Sequence, residues 1–301
     1  MNVKYLNKIN GPADVKNLAE NQLPELADEM RRALIEKLSA HGGHSGPNLG
    51  FVEAAVALHH VFNSPYDKMV FDVSHQTYCH KMLTGRARAF YDPAHYDDVS
   101  GYSEPSESEH DLFTIGHTST SVSLAAGLAR ARDLAGGKEN VIAVIGDGSL
   151  SGGEALEGMD FAGEQNTNLI IVLNDNEMSI AENHGGLYKN LKLLRDTKGT
   201  AECNMFKAWG LDYIYVEDGN DVFALIDAFK KVKDTDHAVV VHIHTLKGKG
   251  LDFAEKDPEN YHAGGPFDVK TGKYLYGGGG ENYNSIVGDY LMKKIASDPA
   301  V

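Results

Sequence analysis

Two short apolar segments, each followed by polar residues, constrain the fold of this chain most strongly. Residues 141–145 (VIAVI) run into Gly-Asp-Gly at 146–148, and residues 169–173 (LIIVL) run into Asn-Asp-Asn at 174–176. Short, β-branched and nearly uninterrupted apolar runs are typical of strands buried on both faces of a parallel sheet. Residues 149–163 carry apolar side chains at roughly helical spacing, which predicts a strand–helix–strand unit.

The two polar segments are expected at the same edge of that sheet. Parallel neighbours end at one edge, and open α/β sheets bind ligands at the carboxyl ends of their strands. Asp147 and Asn176, which are 176 − 147 = 29 residues apart, should therefore lie close together. A carboxylate and an amide oxygen, beside a helix N-terminus and glycines that permit close backbone approach, suit a small hard cation that carries phosphates.

Two alternatives apply to these segments. The glycines fall at 146, 148 and 152, because Ser151 stands where a dinucleotide fingerprint has its third glycine. Asp147 would also repel a pyrophosphate unless a metal stood between them. Each segment alone is typical of a tight turn. Their pairing at the ends of two consecutive buried strands favours a metal–diphosphate site over both alternatives.

The motifs around these segments resemble those of a known family. From about residue 42 to the C-terminus, the chain resembles the 1-deoxy-D-xylulose-5-phosphate synthases of the transketolase superfamily, in which Gly-Asp-Gly and a later Asn-containing turn form the thiamine diphosphate motif. The motifs that carry the resemblance, in family order, are 43–50 (GHSGPNLG), 72–86 (DVSHQTYCHKMLTGR), 106–111 (SESEHD), 116–121 (GHTSTS), 144–159 (VIGDGSLSGGEALEGM) and 173–183 (LNDNEMSIAEN).

The resemblance implies a fold, a reaction and cofactors. The fold is α/β, with a mainly parallel sheet between layers of helices, as in the diphosphate-binding domains of transketolases. The cofactors are thiamine diphosphate and Mg²⁺. The reaction is the transfer of a two-carbon unit from pyruvate, with loss of carbon dioxide, to glyceraldehyde 3-phosphate. A transketolase that moves glycolaldehyde between sugar phosphates is one alternative, and a non-catalytic subunit that binds cofactor and partner is another.

The resemblance also assigns roles to side chains. It implies Asp147, Asn176 and the backbone carbonyl of Met178 as magnesium ligands, and His44 and His262 as active-site histidines. Backbone amides near the start of a helix bind phosphate well, which suits the segment at 116–118. The alternative is that the Thr118 hydroxyl only caps the helix. The residues that the resemblance implies for cofactor binding are His75, Gly116, His117, Thr118, Gly148, Ser149 and Asn176.

The histidines have other interpretations. His75, Cys79 and His80 lie at a near-helical spacing that also suits zinc, but this short tract offers no fourth ligand. His262 is equally compatible with an exposed loop position. Lys247 and Lys249 add positive charge near the predicted phosphate site, although solvated lysines need no special explanation.

Three positions depart from the resembled family. Pro105 stands where the family has a basic residue before SESE, which puts the acceptor phosphate in doubt. Leu251 stands where an aromatic residue is common. The region after Asn183 is shorter than in the family, so an active-site loop and part of a partner contact are expected to differ.

Composition limits the class of protein. With 301 residues and 42% hydrophobic content, the chain can form one large α/β domain. It has no apolar run long enough to cross a bilayer, no signal-like N-terminus and two cysteines, which predicts a cytoplasmic protein. A net charge of −15 argues against binding to nucleic acids or anionic membranes.

The chain is predicted to divide into a diphosphate-binding domain (1–276), a glycine linker (277–280) and the start of a truncated pyrimidine-binding domain (281–301). In the superfamily the second domain supplies the glutamate that activates the cofactor, so a pyrimidine-binding domain or subunit and a homodimer are expected. The alternative is a C-terminal helix that packs back on the first domain. The remaining predicted elements are helices 23–40, 52–61, 119–134, 222–232 and 285–296, strands 69–73, 213–216 and 238–245, a partly helical 184–208, and loops 41–50 and 246–280.

Overall fold

A five-stranded, all-parallel sheet forms the centre of the protein. The computed structural model describes residues 3–275 and 281–301. The strand order is β1-β2-β3-β5-β4, and every pairing is parallel, which confirms the predicted α/β fold. The strands are β1 Lys68–Phe71, β2 Val141–Gly146, β3 Leu169–Asp175, β4 Asp212–Val216 and β5 Ala238–His244.

Helices cover both faces of the sheet. Successive strand residues point to opposite faces, so Ile142 and Val144 join one apolar cluster while Ala143 and Ile145 join the other. The first cluster includes α2, α4 and α12, and the second includes α7, α9 and α10. The helices are α1 Pro12–Lys16, α2 Leu23–His41, α3 Ser45–Gly50, α4 Val52–Val61, α5 Tyr78–Lys81, α6 Arg88–Tyr91, α7 Ser121–Ala135, α8 Asp147–Leu150, α9 Gly153–Glu164, α10 Gly186–Asp196, α11 Met205–Ala208, α12 Val222–Val232, α13 Asp252–Lys256 and α14 Tyr283–Ser297.

The two central strands run further than the apolar pattern indicates. β3 was predicted to end at residue 173, but it includes Asn174 and Asp175. Burying these polar side chains costs little free energy because each has a hydrogen-bond partner. Asn174 Oδ1 accepts from the Thr245 hydroxyl at 2.6 Å, and Asp175 Oδ2 lies 2.8 Å from His242 Nε2. Gly146 pairs with Asn174 across the sheet, so both strands end at the same edge, as predicted.

Three predicted boundaries were wrong. Residues 41–50 were predicted as a loop, yet Ser45–Gly50 is helical, because Pro47 lies in the first turn, where a missing N–H breaks no helical hydrogen bond. β1 ends at Phe71 because Val73 and Ser74 have φ angles of 56° and 66°, which no strand tolerates. The predicted loop 246–280 contains the short helix α13.

The C-terminal helix α14 is present as predicted, but it buries none of its residues. The alternative in which it packs back on the domain is therefore wrong. The predicted linker at 277–280 lies outside the described residues. Across residues 3–275 and 281–301, no helix is both long enough and apolar enough to cross a membrane. The exposed apolar side chains of α14 are Tyr283, Ile286, Val287, Tyr290, Leu291, Met292 and Ile295.

A buried ion network joins helices α2 and α4 to the loop after β5. The Arg31 guanidinium donates to both carboxylate oxygens of Glu53 at 2.8 Å. Lys249 Nζ donates to Glu53 at 2.9 Å and to the carbonyl of Asn220 at 3.1 Å. Burial alone would raise the pKa of Glu53, but Arg31 and Lys249 outweigh it and hold the pKa below its usual value. Glu53 therefore fixes the loop that follows β5.

We predict that Glu53→Gln lowers the free energy of unfolding by about 3 kcal/mol, since it leaves the buried Arg31 without its charged partner. Urea denaturation measures this change. Glu25→Gln is the matched control, because Glu25 pairs with Lys4 on the exposed surface and its loss should leave stability nearly unchanged. Equal stabilities of the Glu53 variant and the unmutated chain would contradict the structural role of the network.

Candidate active site

A cavity of about 250 Å³ opens at the carboxyl edge of the sheet. Residues that follow β1, β2, β3 and β5 reach it, because all these strands end at this edge. The residues that line it are His44, Pro47, Val73, His75, Gln76, Thr118, Gly146, Asp147, Gly148, Ser149, Asn174, Asn176, Met178, Ser179, Ile180, Lys247 and His262.

The three predicted magnesium ligands lie around this one cavity. Asp147 is the first residue of α8, directly after β2, and is 1% exposed. Its Oδ2 accepts from Asn183 Nδ2 at 2.7 Å. Asn176 follows β3 directly, and its side-chain oxygen accepts from the Met178 amide at 3.2 Å. Asp147, Asn176 and Met178 thus line the same cavity.

The charges around Asp147 suit a divalent cation. Burial, together with the nearby Asp175, raises the pKa of Asp147 well above its usual value. Burial also acts on Asp175, but His242 and Arg195 outweigh it and lower the pKa of that carboxyl. Within the described residues, Asp147 has no Lys or Arg ion-pair partner. A bound Mg²⁺ would favour the ionised form of this carboxylate, as an ion pair would, so the donor set fits the metal.

Three histidines from separate loops meet at the cavity. The ring centroids of His44 and His75 are 5.2 Å apart, those of His44 and His262 are 5.8 Å apart, and those of His75 and His262 are 5.5 Å apart. His44 precedes α3, His75 follows β1, and His262 lies in the loop after α13. The structure therefore brings together the histidines that the sequence predicts, and His262 is not an isolated surface residue.

Burial keeps these histidines neutral. It lowers the pKa of His75 to about 3, helped by His44, His262 and Lys247. It lowers the pKa of His262 to about 4, and it also lowers the pKa of His44. The His75 Nδ1, His262 Nδ1 and Gln76 Nε2 atoms are buried without a hydrogen-bond partner. Such orphaned polar atoms around a cavity fit a polar ligand that would complete them.

Lys247 has a larger part in the site than the sequence indicates. Its side chain is buried, and its Nζ donates to the carbonyl of Ser179 at 2.5 Å. Burial lowers its pKa to about 8, so it still carries a positive charge at neutral pH. Lys247 also lines a neighbouring cavity of about 580 Å³. The signal in the sequence was its position three residues after His244, which ends β5.

Of the segment before α7 that is predicted to bind cofactor, only one residue lines the cavity. Thr118 lines the cavity, but Gly116 and His117 are exposed and do not line it. The amides of Ser119 and Ser121 each donate to the buried Asp72 carboxylate at 2.8 Å. These two amides therefore already have a hydrogen-bond acceptor in Asp72, which directly follows β1.

Gly148 and Ser149, which are predicted to bind the cofactor, both line the cavity. A Cβ at Gly148 would lie 2.7 Å from the Ser179 hydroxyl, so only glycine allows the loop after β3 to approach this closely. Sequence reasoning missed two residues: Gln76, which lines the cavity, and Tyr102, whose ring centroid is 5.7 Å from that of His44. Gln76 lies inside the motif at 72–86 and Tyr102 lies four residues before the motif at 106–111, but nothing in either residue type marks a functional role.

The zinc alternative is wrong for the described residues. Nowhere among them do three or more His, Cys, Asp or Glu side chains converge as a metal site. His80 uses both ring nitrogens, one toward His59 at 2.9 Å and one toward Asp111 at 3.2 Å. Cys79 is buried in the apolar core, so it is not available to a metal.

We predict that none of the three cavity histidines titrates near the ordinary value of 6.5. NMR titration of the imidazoles should place His75 near 3 and His262 near 4, with His44 also below 6.5. The exposed His237 is the internal control, since Asp236 raises its pKa. Because the unfolded chain takes up protons that the folded one excludes, stability should fall as the pH drops from 6.5 towards 4. Normal titration of His75 would contradict the buried arrangement.

Comparison with known proteins identifies the family. The sequence profile described as 1-deoxy-D-xylulose-5-phosphate synthase matches residues 6–204 and 192–245. The synthase of Symbiobacterium thermophilum is 42% identical over 333 aligned residues, covering 99% of this chain and 51% of the relative. Synthase 1 of Geobacter metallireducens is 41% identical, covering 98% and 53%. The chain thus spans about half the length of these relatives.

Solved structures show the same fold. Transketolase from Campylobacter jejuni superposes with a TM-score of 0.66 at 19% identity, over 83% of this chain and 41% of that one. Transketolase from Leishmania mexicana superposes with a TM-score of 0.59 at 19% identity, over 92% and 48%. The profile match excludes the dinucleotide-binding alternative. The chain belongs to the 1-deoxy-D-xylulose-5-phosphate synthase family, and it corresponds to the N-terminal half of its relatives.

Proposed function

We propose that this chain carries the magnesium and diphosphate half of an active site that makes 1-deoxy-D-xylulose 5-phosphate from pyruvate and glyceraldehyde 3-phosphate. The observation that carries the proposal is the single cavity that collects Asp147, Asn176, Met178 and the three histidines. Family membership supports the reaction.

Each group has a chemical task in this proposal. Asp147, Asn176 and the Met178 carbonyl hold Mg²⁺, which would in turn bind the cofactor's diphosphate. Lys247 adds positive charge beside it. When bound, thiamine diphosphate supplies the carbanion chemistry that cleaves a bond next to a 2-oxo carbonyl. The neutral imidazoles of His44 and His262 accept protons from substrate oxygens and return them, which a permanently charged side chain could not do reversibly.

The cofactor's reacting ring needs a second domain in this proposal. Helix α14 exposes an apolar stripe that includes Val287 and Leu291, which are one turn apart. We assign this face to contact with a pyrimidine-binding domain, on this polypeptide or another. A homodimer and a cytoplasmic location belong to the same proposal, as does negligible activity of the 301-residue chain alone.

Two residues that differ from the resembled family lie away from the cavity. Leu251, which replaces a common aromatic residue, is buried in the core and does not line the cavity. Pro105 is exposed and does not line it either. These replacements leave the residues proposed to hold the metal unchanged.

The reaction distinguishes the remaining alternatives. A transketolase would exchange ketose and aldose without releasing carbon dioxide, and a non-catalytic subunit would bind cofactor without either reaction.

We predict that Asp147→Asn abolishes magnesium-dependent binding of thiamine diphosphate, because an amide cannot supply the ligand charge that Mg²⁺ requires. Isothermal titration calorimetry with and without Mg²⁺ measures the effect. Asp160→Asn is the matched control, since Asp160 is exposed on α9. Unchanged affinity in the Asp147 variant would remove the metal assignment.

We predict that the purified 301-residue chain releases no carbon dioxide from pyruvate above background, and that the full-length protein or a complex with the missing domain does. A coupled carbon dioxide assay with glyceraldehyde 3-phosphate as acceptor measures both. Replacing Val287 and Leu291 by glutamate should suppress activity in the complex, whereas Lys293→Glu should not. Robust turnover by the chain alone would contradict the need for a second domain.

A further inference from the structure

One buried asparagine joins the backbones of two cavity histidines. The Asn48 Nδ2 group donates to the carbonyl of His44 at 2.8 Å and to the carbonyl of His75 at 2.7 Å. Its Oδ1 accepts from the amide of Tyr78 at 3.0 Å. Asn48 is 0% exposed, so these three bonds are made away from water. Both amide hydrogens and the amide oxygen of the side chain are used.

The backbone before His75 is strained and needs such a restraint. Val73 and Ser74 both have positive φ angles, of 56° and 66°. A β-branched residue in this region costs free energy and persists only where the surroundings hold it. On one side, the Ser74 hydroxyl donates to the carbonyl of Ile115 at 2.7 Å. On the other side, Asn48 holds the carbonyl of His75.

Asn48 and Tyr78 together hold the backbone at His44. Gly43, with a φ of 132°, pairs with Gly264 and leads directly into His44. The His44 amide donates to the Tyr78 hydroxyl at 3.4 Å, while its carbonyl accepts from Asn48. Asn48 thus contacts both histidine segments, and Tyr78 contacts the one that contains His44. Helix α3 carries Asn48 on the turn after His44, which places the side-chain amide between the two loops.

We propose that Asn48 is a positioning residue that sets the relative placement of the His44 and His75 imidazoles. Its effect on catalysis rests on the proposed function, but its effect on the imidazoles does not. An amide is required because two carbonyls face it: a carboxylate would repel both, and a hydroxyl donates one hydrogen instead of two. Removing the two donors frees both loops, including the strained one.

The test compares Asn48→Ser with Asn140→Ser in the 301-residue chain. Asn140 is the matched control, because it is also buried and its Nδ2 also donates two bonds, to Asp67 and Asp234 at 3.0 Å each. It lies before β2, at the opposite edge of the sheet. Imidazole ¹H–¹⁵N spectra should show shifted or broadened signals for His44 and His75 in the Asn48 variant and unchanged signals in the Asn140 variant. Unchanged signals in a folded Asn48 variant would overturn the proposal.

Two further measurements decide the remaining cases. In the unmutated chain both Asn48 side-chain amide hydrogens should exchange slowly with solvent, and rapid exchange would overturn the proposal even if the variants did not fold. Calorimetry with thiamine diphosphate and Mg²⁺ should show about tenfold weaker binding in Asn48→Ser than in Asn140→Ser. If the unmutated chain binds no cofactor, the proposed function fails, while the imidazole spectra still decide the role of Asn48.

Discussion

The parallel pairing of β2 with β3 is the constraint on which the rest of the site depends. Gly146 lies opposite Asn174, and Asn174 lies opposite Ile243 of β5, so three neighbouring strands end at one level. Parallel strands leave their carboxyl ends on one edge, and helices that cover both faces leave that edge open. Asp147 and Asn176 follow these ends directly. A metal site between them needs no further folding of the chain.

A second level of organisation holds the histidines. They belong to loops that are far apart in sequence, and none is placed by a strand register. Instead, buried polar groups fix them: Asn48 between two loops, and the carbonyl of Tyr261, which accepts from the Gly46 amide and the Ser45 hydroxyl at 2.9 Å each. Buried polar groups that are fully bonded specify one arrangement, because any other leaves an unpaired donor or acceptor. The imidazoles themselves keep unpaired nitrogens, which suits a ligand-binding role.

The accuracy of sequence reasoning followed the range of the interactions involved. The sheet and the α12 helix were predictable because their apolar periodicity is local. The prediction of a loop at 41–50 was wrong. Gly and Pro favour a loop in local sequence, but tertiary contacts hold Ser45–Gly50 as a helical turn. The partners of the first amides of α7 were not predictable, because these amides donate to Asp72, which lies far away in sequence.

The sequence by itself determined the family and the parallel α/β fold, because each depends on residue types at fixed spacing along the chain. It also indicated the segments that we propose hold the metal. The tertiary structure decided which groups share the cavity and in what charge state. Desolvation makes the histidines neutral and raises the pKa of Asp147, and desolvation depends on what packs around a group. Lys247 and Asn48 belong to the site for the same reason: their importance comes from burial against distant loops, which no local pattern records.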